Sequence, residues 1–469
     1  MSAKIGTEAN PLRVAIVGAG PAGFYAADRL LRTEGVSAQV EMLERLPTPH
    51  GLVRAGVAPD HPKIKSVTRV YDKTAVLPGF RFFGNVELGR DVSAAEVAER
   101  CHAVIYAVGA QTDRRLGIPG EDLPGSHPAT DFVAWYNAHP DYAEHDFDLA
   151  CERAVVVGNG NVAMDVARML ALDHSELTVT DIADHALDVL EHSAVREIEV
   201  LGRRGPAQAA FTNPELREFG ELHGADVIVD PADLELDELN REFLESEADA
   251  TARKNVELLG DLAARPPAGK PRRILMRFCV SPIEIRGEGR VEEVVIARNE
   301  LYRDQSGALR ARQTEATETV EAGLVLRSIG YLGVPLPGVP FDERRGVIAN
   351  QGGRILEPDG GEPLPGQYVV GWIKRGPSGV IGTNKKDAYE TVAHLLDDLA
   401  AGKLPEAGDD PDALLELLHE RAGDHVTFAG WEAIDAVERE RGEPAGRPRV
   451  KFTRVDEMLE VSSTRAPAR

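Results

Sequence analysis

Apolar and polar positions fall in blocks along the chain, and the blocks predict a strand–turn–helix–strand order that occurs twice. Val14-Ala15-Ile16-Val17 is a wholly apolar run of the kind buried on both faces of a parallel sheet. It ends in Gly18-Ala19-Gly20-Pro21-Ala22-Gly23, which opens a helix whose apolar positions recur from Phe24 to Leu31. A second strand, Ala38 to Leu43, follows and stops at Glu44. This is the grammar of a dinucleotide-binding unit. Gly18 permits the tight turn, Gly20 lets backbone amides approach a pyrophosphate, and Gly23 lets the helix close on the sheet. The helix N-terminus then faces the anion with its partial positive charge. Glu44 stands where a carboxylate accepts ribose hydroxyls, and a plain glycine turn between packed elements leaves it unexplained.

The pattern returns at Arg153-Ala154-Val155-Val156-Val157, followed by Gly158-Asn159-Gly160-Asn161-Val162-Ala163 and a helix from Met164 to Ala171. Alanine replaces the third glycine, a variant the fingerprint tolerates. After an inserted segment the next strand is Ile198 to Leu201, and it ends in Gly202-Arg203-Arg204-Gly205 in place of a carboxylate. Two guanidiniums grip a ribose 2′-phosphate that a carboxylate would repel, so the second nucleotide is NADP(H) in preference to NAD(H). The competing reading is a solvated basic turn. Two nucleotide sites of unlike ribose chemistry imply a flavin enzyme that takes hydride from a nicotinamide, with FAD at the first site.

Further runs complete the plan. Ala103 to Ala110 reads as a strand that closes the first sheet, and Val325 to Gly330 as the return crossing into it. Arg277 to Ile285 and Arg290 to Asn299 read as strands of the inserted domain. Tyr368 to Gly371 is a strand, and a glycine-rich turn from Trp372 to Asn384 leads into a helix over Lys385 to Ala400. Two helices, Asp410 to Arg421 and Trp431 to Arg441, are expected to pack on the first domain without chemistry of their own.

Composition narrows the function. The 469 residues suit roughly two to four domains, and 43% hydrophobic content supplies real cores. A formal net charge of -24 argues against nonspecific nucleic-acid binding. Cys101, Cys151 and Cys279 stand far apart, which excludes a CxxC redox pair, a clustered zinc or iron–sulfur site and a disulfide-built secreted scaffold. No metal is expected. The N-terminus has no signal-peptide core and no run approaches a membrane span, so the expectation is a cytoplasmic protein, by default a monomer.

Several long segments together resemble the adrenodoxin reductase-like ferredoxin–NADP reductases of bacterial type. They are Val14 to Gly23, Leu46 to Arg54, Gly56 to Lys63, Val157 to Asp165, Gly202 to Phe211 and Gly371 to Asp387. The resemblance implies an α/β fold of two three-layer, Rossmann-like nucleotide-binding domains of the glutathione reductase type, with the NADP domain (111–324) inserted in the FAD domain (1–110 and 325–469). It implies hydride transfer from NADPH to FAD and then single electrons to a ferredoxin or similar iron–sulfur protein. FAD contacts would fall on Ala22, Glu44, Leu52, Leu88, Trp372 and the stretch Gly379, Val380 and Ile381. NADP contacts would fall on Arg114, Asn159, Gly160, Asn161, Val162, Arg203, Arg204 and Glu215, with Gly379 near the nicotinamide. His61 and Glu218 match positions close to the flavin–nicotinamide junction in relatives. Two departures stand out. Position 50 is His where relatives carry Trp, and Trp372 follows Gly371 where the wider superfamily has an Asp on the ribityl chain.

Hydride transfer needs positioning more than acid–base groups, so no nucleophile or triad is expected. His61 either relays a proton or simply holds the Pro59-Asp60-His61-Pro62 turn, and Glu218 is one carboxylate among many in its stretch. Without paired cysteines, electrons leave directly from the flavin. Candidate docking cations are Arg253-Lys254, Lys270-Pro271-Arg272-Arg273, Lys374-Arg375 and Lys385-Lys386, each of which could equally be ordinary solvated surface. Two other functions fit the same sites: a flavin-dependent NADPH oxidase or monooxygenase, and a slow redox sensor.

Overall fold

Strand Leu12–Val17 is buried along its whole length, and its side chains alternate between two cores. Leu12, Val14 and Ile16 join Phe24 and Leu30 of helix Pro21–Leu31 and Val392 and Leu395 of helix Ile381–Ala400. Ala15 and Val17 face the other way, toward Val97, Leu414 and Leu418. Cutting Ile16 back to alanine in such a core costs about 2–5 kcal/mol. The computed structural model describes residues 4–379, 381–408 and 410–465, and the chain divides into two compact units. One takes the chain up to Thr112 and from Tyr331 onward, and the other runs from Asp113 to Gly330.

The first unit is built on a sheet ordered Asn350–Gln351, Arg354–Leu356, Pro363–Val369, Ala103–Tyr106, Leu12–Val17, Ala38–Glu44, Phe80–Gly84. The last five strands are parallel. The C-terminal segment is tied to the edge of this sheet, where the Gly84 N–H donates to the Val426 carbonyl at 2.8 Å. Helix Ala413–Arg421 precedes this tie and Phe428–Gly442 follows it, and then comes Val455–Arg465, which the apolar pattern did not announce because Met458 is its one fully buried side chain.

The second unit has a six-stranded parallel sheet ordered Ser126–Pro128, Leu324–Arg327, Arg153–Val157, Glu197–Leu201, Arg272–Arg277, Ala225–Val229. An antiparallel sheet of Val280–Arg286, Glu293–Arg303 and Leu309–Glu321 packs Val280, Ile285, Val294 and Ile296 against Val155 and Val157. Two expectations change here. Leu324–Arg327 pairs with Arg153–Val157 inside this unit, so the return crossing expected at 325 comes later, after Gly330. An apolar run ending in glycine suits either sheet, and burial in this one decides the matter. The strand expected over Arg277 to Ile285 is two strands, broken at Cys279, whose φ is 52°. Among the described residues no helix is long and apolar enough to cross a membrane.

Candidate functional site

In the first unit the turn after strand Leu12–Val17 is shaped by close approach. Gly18 has φ +107°, and a Cβ there would lie 2.7 Å from the Ala107 carbonyl oxygen. A Cβ on Gly23 would lie 2.2 Å from the Gly18 oxygen, so the helix can sit against the turn only without one. Gly20 differs: nothing lies within 4 Å of where its Cβ would be. Helix Pro21–Leu31 begins there with no side-chain cap and no acidic residue in its first turn, leaving its first N–H groups for an anion. That combination fits a pyrophosphate.

Glu44 closes the turn from the next strand. Its carboxylate accepts the Ala19 N–H at 2.9 Å and the Leu46 N–H at 3.2 Å. Loss of water pushes the carboxyl above its usual range, and these N–H donors pull the other way. The carboxylate keeps acceptor capacity for a ribose hydroxyl. The loop before Leu52 folds over the turn, with the His50 N–H donating to the Ala19 carbonyl at 2.8 Å. Leu52 then starts the short helix Leu52–Ala55.

The second glycine turn reaches the same place. Gly371 has φ +80°, and a Cβ there would come 2.8 Å from that of Ala22. The Gly371 N–H donates to Asp387 at 2.6 Å, and the same carboxylate takes the Lys374 Nζ at 2.9 Å. Trp372 opens one helical turn, Trp372–Arg375, inside the glycine-rich turn expected over Trp372 to Asn384, and the long helix starts at Ile381, earlier than Lys385. Its ring lies 5.4 Å from that of Tyr331, and its Nε1 is buried without a hydrogen-bond partner among the described residues. A buried indole N–H beside the turn calls for an acceptor, which a flavin can provide. Ala22, Glu44, Leu52 and Trp372 therefore belong to one unit and line its turns. Leu88 is packed in the core with Val86 and Val92. Gly379 is exposed, Ile381 begins the long helix, and Val380 lies outside the described residues.

In the second unit the same construction recurs with different chemistry. A Cβ on Gly160 would meet nothing within 4 Å, and helix Asn161–Ala171 starts there without a side-chain cap. Asn161 accepts the Thr212 N–H at 2.8 Å, and the Asn159 carbonyl accepts the Ala210 N–H at 3.2 Å. Val162 is half-buried in the first turn. Arg203 and Arg204 are exposed on a turn strapped from behind. The Cys279 N–H bonds the Arg204 carbonyl at 3.1 Å, and the Asn299 amide bonds the Arg203 carbonyl at 2.8 Å. Burial lowers the Arg204 pKa, and the nearby charges of Arg203 and Arg310 lower it further. Crowded cations favour an anion. Arg114 is exposed, its N–H bonded to the Gly330 carbonyl at 3.0 Å.

Glu215 and Glu218 gather on Arg168, a buried side chain of the nucleotide helix, at 3.4 and 3.5 Å. The carbonyl of His61, in the first unit, accepts the Ile64 and Lys65 N–H groups at 3.1 Å, and its own N–H donates to the Ala58 carbonyl at 3.1 Å.

The expected docking cations are largely committed inside the protein. Arg253 Nε donates to the Leu244 carbonyl at 2.9 Å and Lys254 pairs with Glu257 at 2.7 Å. Lys270 bonds the Leu222 carbonyl, Arg272 pairs with Asp173, and Arg273 with Glu197. Lys374 is buried on Asp387 and Thr391, and Arg375 bonds Asn384. Lys385 lies over the Tyr389 ring, and Lys386 remains exposed.

The chain is similar to known proteins over nearly its whole length. A family model described as pyridine nucleotide-disulphide oxidoreductase matches residues 12–201. The chain is 52% identical over 455 residues to a Mycobacterium leprae protein named NADPH-ferredoxin reductase FprA, covering 96% of this chain and 98% of that one. It is 43% identical over 470 residues to the mitochondrial NADPH:adrenodoxin oxidoreductase of Salvelinus fontinalis, covering 97% and 92%. Among solved structures, Mycobacterium tuberculosis FprA in complex with NADPH matches with a TM-score of 0.91 at 51% identity, covering 97% of this chain and 100% of that one.

Proposed function

The chain belongs to the family of NADPH–ferredoxin and NADPH–adrenodoxin reductases, and from that premise we propose that its first unit holds FAD and its second NADP(H). The protein is a flavoenzyme that oxidises NADPH and delivers electrons to an iron–sulfur carrier. Bound FAD supplies what the side chains lack, because it accepts two electrons as hydride and releases them singly. One NADPH and two oxidised carriers thus give NADP⁺, one proton and two reduced carriers.

The observation that carries the assignment of the two units is the unlike end of the second strand in each. Glu44 offers acceptors to ribose hydroxyls, whereas Arg203 and Arg204 offer charge to a phosphate. Around the first nucleotide, Gly18 and Gly23 let the turn close, Gly20 leaves room for the pyrophosphate, and Ala22 packs against Gly371. Leu52 and Trp372 bound the ring, with Gly379 and Ile381 at the start of the long helix. Around the second, Asn159 to Val162 and Arg114 hold the remaining phosphates. The proton of the reaction is assigned to the His61 ring, because an imidazole can both take up and give back a proton. Glu215 and Glu218 position the nucleotide helix through Arg168. The working form is taken as a cytoplasmic monomer, which sedimentation of the holoprotein tests.

Anaerobic mixing of the yellow protein with NADPH or NADH tests the reading. Fast flavin bleaching with NADPH, slow bleaching with NADH and rapid reoxidation by oxidised ferredoxin are expected. Reoxidation by oxygen but not by ferredoxin would replace it with the oxidase reading.

A further inference from the structure

We propose that the outer face of residues 62–76, in the first unit, is the docking surface for an acidic iron–sulfur electron carrier, a proposal that rests on the reductase reading above. This segment holds Lys63, Lys65, Arg69 and Lys73 against one carboxylate, Asp72, in a chain whose net charge is -24. Lys63, Arg69 and Lys73 are exposed, and among the described residues none has an ion-pair partner. Asp72 turns away from them, its carboxylate 3.2 Å from the His50 ring. The cations that the sequence offered as docking patches elsewhere are mostly engaged with carboxylates or carbonyls of the protein itself. Here the charges of Lys63, Arg69 and Lys73 are left free.

The same face is apolar where it need not be. Five large hydrophobic side chains are exposed among the described residues, and three of them are Ile64, Val70 and Val76, at 41%, 46% and 70%. Single exposed valines are ordinary, but a cluster rimmed by charge marks an interaction site. Helical spacing creates it. On helix Thr68–Ala75, Arg69 and Lys73 are four apart, and Val70, Lys73 and Val76 recur at threes, so they share one side. Tyr71, Thr74 and Ala75 take the buried side. The surface is thus an apolar centre among the exposed cations Lys63, Arg69 and Lys73, the composition that docks an acidic partner and steers its approach.

The face is also fixed to the nucleotide cradle. The Tyr71 ring stacks on Phe24 at 5.1 Å and meets Tyr25 edge-on at 5.5 Å, both on the helix that starts at the pyrophosphate turn. Asp72 ties the segment to His50 in the loop over that turn. A carrier seated here is held on the same rigid body as the group that reduces it. Because each carrier takes one electron, two dockings occur per NADPH, and a charge-steered encounter that releases readily suits that turnover.

The test compares wild type with a Lys63→Glu/Arg69→Glu/Lys73→Glu triple variant and a Val70→Ser/Val76→Ser double variant. All five side chains are exposed, so folding is not at stake. NADPH oxidation is followed with ferricyanide, a small oxidant that needs no docking, and with a purified acidic bacterial ferredoxin. The expected result is an unchanged ferricyanide rate in all three proteins. The triple variant should raise the ferredoxin KM about tenfold or more at low ionic strength and flatten its salt dependence. The double variant should raise the KM while leaving the salt dependence in place. An unchanged ferredoxin KM in the triple variant overturns the surface while the reductase reading stands. A wild type that reduces ferricyanide but not ferredoxin overturns that reading itself. If sedimentation shows a wild-type dimer that the triple variant abolishes, with ferredoxin kinetics unmoved, the occupant is a second copy of this chain and the carrier proposal fails.

Discussion

Arg54 and Glu438 are 384 residues apart in the chain and share a buried two-pronged hydrogen bond, one arm of which measures 2.8 Å. The Glu438 side chain is wholly buried and the Arg54 side chain 9% exposed. Glu438 also accepts the Phe452 N–H at 2.9 Å, and the Arg54 guanidinium lies 5.1 Å from the Trp431 ring centre. His50 meets the same indole edge-on at 5.6 Å. Helix Phe428–Gly442, expected to be mere packing, thus grips the loop that covers the pyrophosphate turn, and the histidine at position 50 fits that grip.

Glu438→Gln should therefore loosen both fold and cofactor. Removing one member of a buried pair strands the other charge, at a cost of about 3–5 kcal/mol. The expected outcome is a lower Tm together with faster release of FAD, read as the rise of free-flavin fluorescence after dilution. Arg54→Met/Glu438→Leu should recover part of that stability, because apolar substitutes strand neither charge of the pair, while the Phe452 N–H still loses its acceptor. A Glu438→Gln protein that melts and holds flavin like wild type would show the clamp to be idle.

Two glycines in one turn should fail in different ways. Gly20→Ala adds a methyl group where nothing lies within 4 Å, so the protein without flavin should keep its wild-type Tm and yet lose FAD affinity. Gly18→Ala forces a side chain onto φ +107° and against the Ala107 carbonyl, and it should lower the Tm whether or not flavin is present. Calorimetry with and without FAD separates the two. Equal melting of both variants without flavin would refute the division of tasks.

Arg203→Ala and Arg204→Ala test the coenzyme argument. A charge-assisted hydrogen bond contributes about 1.5–3 kcal/mol, so each change should reduce kcat/KM for NADPH by about tenfold to a hundredfold. NADH has no 2′-phosphate, and its kcat/KM should barely move. The ratio of the two constants is the decisive measurement, and equal losses with both coenzymes would mean that the arginines shape the turn without reading the phosphate.

The nucleotide turns were legible because their constraint is local. A glycine that must approach a backbone, or a carboxylate that must end a strand, is written within a few dozen residues. What escaped depends on partners distant in sequence or on polarity that hides a buried edge. Lys374 reads as a surface cation until Asp387 and Thr391, one helix away, bury it. Strand Leu309–Glu321 is invisible to an apolar pattern because most of its side chains face solvent, while the ladder to Glu293–Arg303 holds its backbone. The cation face at 62–76 was passed over for denser runs such as Lys270 to Arg273, because charge count in a sequence does not reveal which charges are already paired.

His102 gives the pH dependence a sign. Its ring is buried, and Nδ1 accepts the Arg13 N–H at 3.0 Å, a bond that protonation of this nitrogen would break. Burial first, and the charge of Arg13 second, hold its pKa down to about 4, against 6.5 for the free side chain. Between those values the unfolded chain binds a proton that the folded one does not. Stability from this group is thus complete above about pH 6.5 and lost as the pH falls toward 4. The limiting slope for one proton is about 1.4 kcal/mol per pH unit. His102→Gln retains an acceptor for Arg13 but cannot titrate, so its urea midpoint should fall less between pH 7 and pH 5 than that of wild type. His50, His127, His185 and His425 also have lowered pKa values, and they act alike in both proteins, so the difference between the two isolates His102. Parallel declines in the two proteins would place the acid sensitivity elsewhere.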